Sequence, residues 1–149
     1  ASGLTDRLTV LSPRPATVEE LCRVHDAAYV ERVSTLSAGH GGEVGSEAIV
    51  GNGSYEIALL AAGGVITAID ATLDATVDNA YALVRPPGHH ALHDQGLGFC
   101  LFSNVAIAVK HAQAERGVGR VVAWKIRRRV HSGIIGGSSA LSGRSSHPF

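Results

Sequence analysis

Polar and apolar positions along this chain switch between helical spacing and short unbroken apolar runs. In "PATVEELCRVHDAAYVERVSTL", Thr17 and Glu20 have the spacing of a capping box, which sets the helix start at Thr17. Leu21, Val24, Ala28 and Val33 supply its apolar face. Residues 37–54, "SAGHGGEVGSEAIVGNGS", hold six glycines without periodicity and read as a long loop of the kind that often carries function. In "SYEIALLAAGGVITAIDATLDAT", Ile57, Leu60, Ala61, Val65, Ala68 and Ile69 keep near-helical spacing on a broad face, which predicts a buried helix. Gly63 and Gly64 lower its helix propensity and predict close packing against a neighbour. "AYALV", residues 80–84, reads as a short buried strand, and Pro86 and Pro87 then hold residues 85 and 86 extended. "SNVAIAVKHAQAERG" is a helix with Ser103 or Asn104 as cap and Gly117 at its stop. "RVVAW", residues 120–124, reads as a second buried strand.

Strand, loop, helix, strand is a parallel crossover unit. It predicts an α/β fold with an open, mostly parallel sheet and flanking helices. Ligands of such sheets bind outside the carboxyl ends of the strands. "RPPGHH" leaves the first strand there and "KIRRR" the second, so neighbouring strands would set both loops on one crevice.

Composition narrows the class. The chain has 149 residues, 45% apolar and 17% charged, which suits one globular domain with a real core. Charges interrupt each apolar run before the roughly 18 residues that span a bilayer, so no membrane segment is expected. "ASGLTDRL" lacks the pattern of a secretory signal, and the absence of an initial Met fits a processed or partial sequence. Cys22 and Cys100 make no disulfide framework; a reducing compartment, the cytoplasm, is expected. The net charge of zero hides a split: all 13 acids lie in residues 1–124, whereas residues 125–149 carry five Lys and Arg and no acid. That basic, Arg/Ser/Gly-rich tail lacks the interleaved aromatics of a nucleic-acid surface, so nucleic acid is not the expected partner.

The candidate chemistry lies in "RPPGHHALHDQGLGFC", residues 85–100. An imidazole titrates near neutral pH and suits general acid/base work at a strand's end. Pro86, Pro87 and Gly88 give a stiff approach and then a permissive turn, which would let His89 and His90 face one ligand. Gly96 and Gly98 let backbone come close to a substrate, and Phe99 could form an apolar wall. By composition alone, adjacent histidines in a loop are more often solvated than catalytic. A metal site from His89, His90 and His93 would have only Asp94 as a nearby carboxylate. His25, His40, His111 and His147 lack such context and read as surface or cap residues.

"ALVRPPGHHALHDQGLGFCLFSNVAIAVKHA" resembles the histidine-pair segment of the histone deacetylase superfamily. "VHDAAYVERV" and "SYEIALLAAGGVITAIDATL" resemble the family too, in the right order, and the tone is nearest to class II enzymes and bacterial acetylpolyamine amidohydrolases. The resemblance runs from about Leu11 to Trp124 and corresponds to the N-terminal part of a longer catalytic domain. It implies an incomplete fold of the arginase–deacetylase type, a zinc ion at the sheet's carboxyl end, and hydrolysis of an acetyl-lysine peptide or an acetylpolyamine. By resemblance His90 would be the general base, and His89 would position water and stabilise the intermediate. Gly98 and Phe99 would line the substrate channel, with Glu43 and Glu47 on a loop at its rim.

The family continues after the second strand with Asp-x-Asp-x-His, whose second Asp and His bind zinc. Here Lys125, Arg127 and Arg129 stand at those positions; a two-residue insertion would instead make His131 a candidate metal ligand. Either alignment replaces carboxylates with cations, which repel zinc. The resemblance therefore predicts a deacetylase part that holds no stoichiometric zinc and shows no turnover alone. The alternative is a non-catalytic remnant that binds a partner or an acyl chain. The change at residue 125 reads as out-of-family sequence: a frame shift, a truncated gene or a junction.

Overall fold

The computed structural model describes residue 3 and residues 5–124. After a 3-10 turn at Thr5–Arg7 come α1 (Val18–Cys22), α2 (Ala27–Ala38), β1 (Gly42–Glu43), β2 (Ile49–Val50), α3 (Ser54–Leu73) and α4 (Asn104–Glu115). The capping box forms as the spacing predicts. The Thr17 side chain accepts from Glu20 N–H at 3.2 Å, and the Glu20 carboxylate accepts from Thr17 N–H at 2.8 Å. The single helix predicted from Thr17 is two helices, because the Asp26 side chain accepts from Ala28 N–H at 2.8 Å and starts a second. Ala28 consequently turns outward, and Tyr29, Val30 and Val33 supply the buried face of α2.

The glycine-rich segment 37–54 is not a plain loop. β1 and β2 pair antiparallel with Gly42 opposite Val50 and Glu43 opposite Ile49. This hairpin is the sheet of the described residues. The two predicted buried strands do not form. Tyr81 and Leu83 in the first run, and Val122 and Trp124 in the second, are more than 80% exposed. A strand needs the N–H and C=O groups of a neighbour, and among the described residues none pairs with either run.

The core joins α3 to α4 and α2. Ala58, Ala62, Ile66, Phe102, Ile107 and Ala108 are all within 1% of full burial. The buried stripe of α3 is rotated one position from the predicted one, so Ile57 and Leu60 are partly exposed. Gly63 explains the close packing. The segment ahead of α1 crosses the helix there, Ala16 N–H donating to Leu59 O at 2.9 Å, and a Cβ on Gly63 would run into the Arg14 carbonyl. By length and composition α3 could cross a membrane, with 20 residues and a mean hydropathy of 1.6. Glu56 and Asp70 interrupt it as expected, so the uncharged run between them is residues 57–69. Its packing is that of a core helix: its small residues bury against α4 and Asp70 is ion-paired.

Candidate active site

Pro86–Phe102 brings the two central histidines to the N-terminal end of α4. Gly88 sits so close to this end that a Cβ would lie 2.5 Å from Asn104 N and 2.6 Å from Phe102 O. The Asn104 side-chain amide donates to Pro86 O at 3.0 Å, tying the proline-led approach to the helix. The chain then turns, and the His89 and His90 rings stand 4.3 Å apart at 59°. Both line a groove of about 1200 Å3 whose other walls include Val65, Val84, Val109 and Trp124. Residues of 82–90 line this groove together with Ala123 and Trp124, although neither flanking run is a strand; the KIRRR loop expected on the same crevice lies outside the described residues.

The arc of residues 93–103 places the predicted channel positions. Gly98 has φ +52°, and a Cβ there would be 3.1 Å from His90 Cδ2, so its bare α-carbon is what seats the imidazole. Phe99 also has positive φ and is 68% exposed. The arc is pinned to the β1–β2 hairpin by three backbone bonds: Gly96 N–H to Val44 O at 3.0 Å, Gly98 N–H to Ser46 O and Phe99 N–H to Glu47 O, both at 2.9 Å. Glu43 and Glu47 are exposed on this hairpin, with the backbone of Glu47 directly beside Phe99.

His93 faces elsewhere. Its Nδ1 is 2.6 Å from Val24 O, a contact that requires a proton on that nitrogen, and its own carbonyl accepts from Asp26 N–H at 3.0 Å. It anchors the arc to the α1–α2 turn and does not join the His89–His90 pair. Among the described residues no three His, Cys, Asp or Glu side chains are grouped to hold a metal ion. These residues do not by themselves fit zinc. Lys125, Arg127, Arg129 and the candidate ligand His131 lie outside the described residues, as does His147.

Two histidines expected at the surface are buried. His25 is 1% exposed; burial holds its pKa below the ordinary value by disfavouring the charged ring. His111 is 6% exposed and lies between carboxylates: Nε2 bonds Asp70 Oδ1 at 3.1 Å, while Nδ1 is 2.9 Å from Glu20 Oε1 but off the line of a hydrogen bond. Of these histidines among the described residues, His40 is exposed as expected. The Tyr29 hydroxyl donates to Leu101 O at 2.7 Å, and burial pushes its pKa up. No spacing rule points to these roles, because each partner comes from a distant part of the chain.

The family described as "Histone deacetylase domain" matches residues 1–124, and the chain belongs to that family. It is 55% identical over 120 residues to a histone deacetylase-like amidohydrolase of Pseudomonas aeruginosa, covering 80% of this chain and 32% of that protein. It is 40% identical over 134 residues to the polyamine deacetylase HDAC10 of Homo sapiens, covering 83% of this chain and 20% of that protein. The solved HD domain of HDA15 superposes with a TM-score of 0.69 at 37% identity, covering 72% of this chain and 31% of that one. The chain thus spans about a third or less of the length of these relatives, and its described residues take up part of a deacetylase fold.

Proposed function

We propose that this chain is the N-terminal part of an amidohydrolase that removes acetyl groups from acetyl-lysine or an acetylpolyamine, built on an open, mostly parallel sheet of the arginase–deacetylase type. The observation that carries this reading is the His89–His90 pair, with rings 4.3 Å apart at the edge of an apolar groove and Gly98 seated on His90. In this reading His90 takes the proton of the attacking water and returns it to the leaving amine. His89, in contact with it, orients the water and donates to the developing oxyanion. Gly98 leaves room beside the imidazole, and Phe99 flanks the aliphatic stem of the substrate. The family resemblance makes zinc the expected cofactor, polarising the acetyl carbonyl when bound. Since the described residues do not fit it, the roles assigned to them are proton transfer and substrate placement.

The test joins residues 1–124 to the remaining part of the Pseudomonas aeruginosa relative and measures deacetylation of an acetyl-lysine peptide and an acetylpolyamine. The chimera should turn over at least one of them, and His90→Ala should cut kcat by about 10²–10⁴-fold with substrate binding retained. A folded chimera whose His90→Ala variant keeps full activity refutes the assignment. The 149-residue chain alone should show neither stoichiometric zinc by elemental analysis nor turnover. One zinc per chain with deacetylation would sink that expectation.

A further inference from the structure

His25 lies on the turn between α1 and α2 and uses both ring nitrogens. Nε2 accepts from Ser103 N–H at 2.9 Å, so in the neutral ring it carries no proton. The proton is then on Nδ1, which donates to His93 O at 3.1 Å. The ring is wedged between Tyr29 and Phe102, with centroids 5.7 and 5.4 Å away. Its two bonds therefore grip the two feet of the 93–103 arc, at residues 68 and 78 positions away in sequence. At the tip of that arc Gly98 rests against His90.

We propose that His25 is a positioning residue for His90: by fastening both feet of the arc in one tautomer, it fixes the Gly98 backbone against the imidazole and so sets the ring's orientation at the groove. The inference rests on the reading of His90 as the proton-transferring group. The hairpin bonds to Gly96, Gly98 and Phe99 hold the tip; at the base, His93 Nδ1 to Val24 O, Asp26 N–H to His93 O and the Tyr29 hydroxyl to Leu101 O each hold one side, and His25 bonds both feet through one ring. A ring nitrogen that must accept cannot be replaced by a hydrocarbon of the same shape. A second proton on the ring would also set N–H against the Ser103 N–H.

The experiment is NMR on the full chain labelled with 15N and 13C. Long-range 1H–15N spectra at neutral pH should show His25 protonated at Nδ1 and bare at Nε2; the opposite tautomer or a doubly protonated ring overturns the proposal. His25→Phe keeps the ring and its volume but removes both bonds. The Ser103 amide should then lose its protection from exchange, and the Gly98 and His90 signals should shift, while Asp70 on α3 stays put. Unchanged Gly98 and His90 signals refute the proposal. His25→Gln, which keeps an acceptor toward Ser103, should restore part of that protection; damage equal to that in His25→Phe also refutes it. If His25→Phe does not fold, an acid titration of the unaltered chain decides. The inflection at the Ser103 amide should reappear at Gly98 and His90, and its absence there overturns the proposal. None of these readouts uses turnover, so an inactive chimera with an intact clamp counts against the function alone.

Discussion

Glu20 offers the sharpest test of how the helices are held. It is 5% exposed and its carboxylate accepts from Arg14 at 2.9 and 2.5 Å and from Thr17 N–H at 2.8 Å. The Arg14 guanidinium is the main cause that draws its pKa from the ordinary 4.5 down to about 2, with the Thr17 N–H assisting. A drop of that size corresponds to roughly 3 kcal/mol favouring the folded state at neutral pH. The Arg14 side chain is 41% exposed, so solvent screening reduces the expected gain to about 1–2 kcal/mol. Glu20→Gln removes the charge and keeps the volume and the ability to complete the capping box. Urea unfolding at pH 7 should show a lower midpoint with an unchanged slope, by that amount. A carboxylate with a lowered folded pKa stabilises above its unfolded value and loses that effect as pH falls through its folded value. The two proteins should therefore converge between about pH 4.5 and pH 2. A stability gap that persists unchanged down to pH 2, or no gap at pH 7, would refute the reasoning.

Other outcomes follow from the same geometry. Gly63→Ala should cost about 1–3 kcal/mol by overpacking against the Arg14 carbonyl, whereas Gly64→Ala, whose Cβ would meet side chains rather than backbone, Val84 at 3.1 Å and Pro13 at 3.7 Å, should cost less; equal thermal midpoints would contradict this. Gly98→Ala combines φ +52° with a contact to His90 and should lower stability by about 1 kcal/mol and displace the His90 resonances, readable in one set of NMR spectra. His25 is neutral when folded and its pKa is lowered by burial, so its contribution is complete above the ordinary value of about 6.5 and disappears as pH falls through the lower folded value. His25→Phe should remove that acid-sensitive part of the stability profile, which denaturation at a series of pH values would show.

The helices were legible because their signals are local. The Thr17–Glu20 box, the helical spacing of residues 54–73 and the Gly117 stop each act within a few positions; the box and the stop appear in place, Gly117 with φ +66°, and the helix forms over 54–73 with its buried face one position round from the predicted one. Strand identity is not local. "AYALV" and "RVVAW" have the composition of buried strands, yet a ladder depends on neighbours that the described residues do not supply. Asp26 began a second helix through a single side-chain bond, a signal visible in the sequence but outweighed by the continuous apolar spacing. Within the candidate site, the proline–glycine approach and the close backbone at Gly98 could be anticipated from residue type. The burial of His25 and His111 could not, because a histidine's polarity suggests water until a distant donor or carboxylate is known to meet it.

Trp124 is the single tryptophan of the chain, 87% exposed, and it lines the same groove as His89 and His90. The molecule thus carries its own optical reporter. Emission from a water-exposed indole is red-shifted, and anything that fills the groove over that ring should move the spectrum to the blue. A fluorescence titration can therefore test whether a small apolar molecule enters this groove, with no label and no need for catalysis.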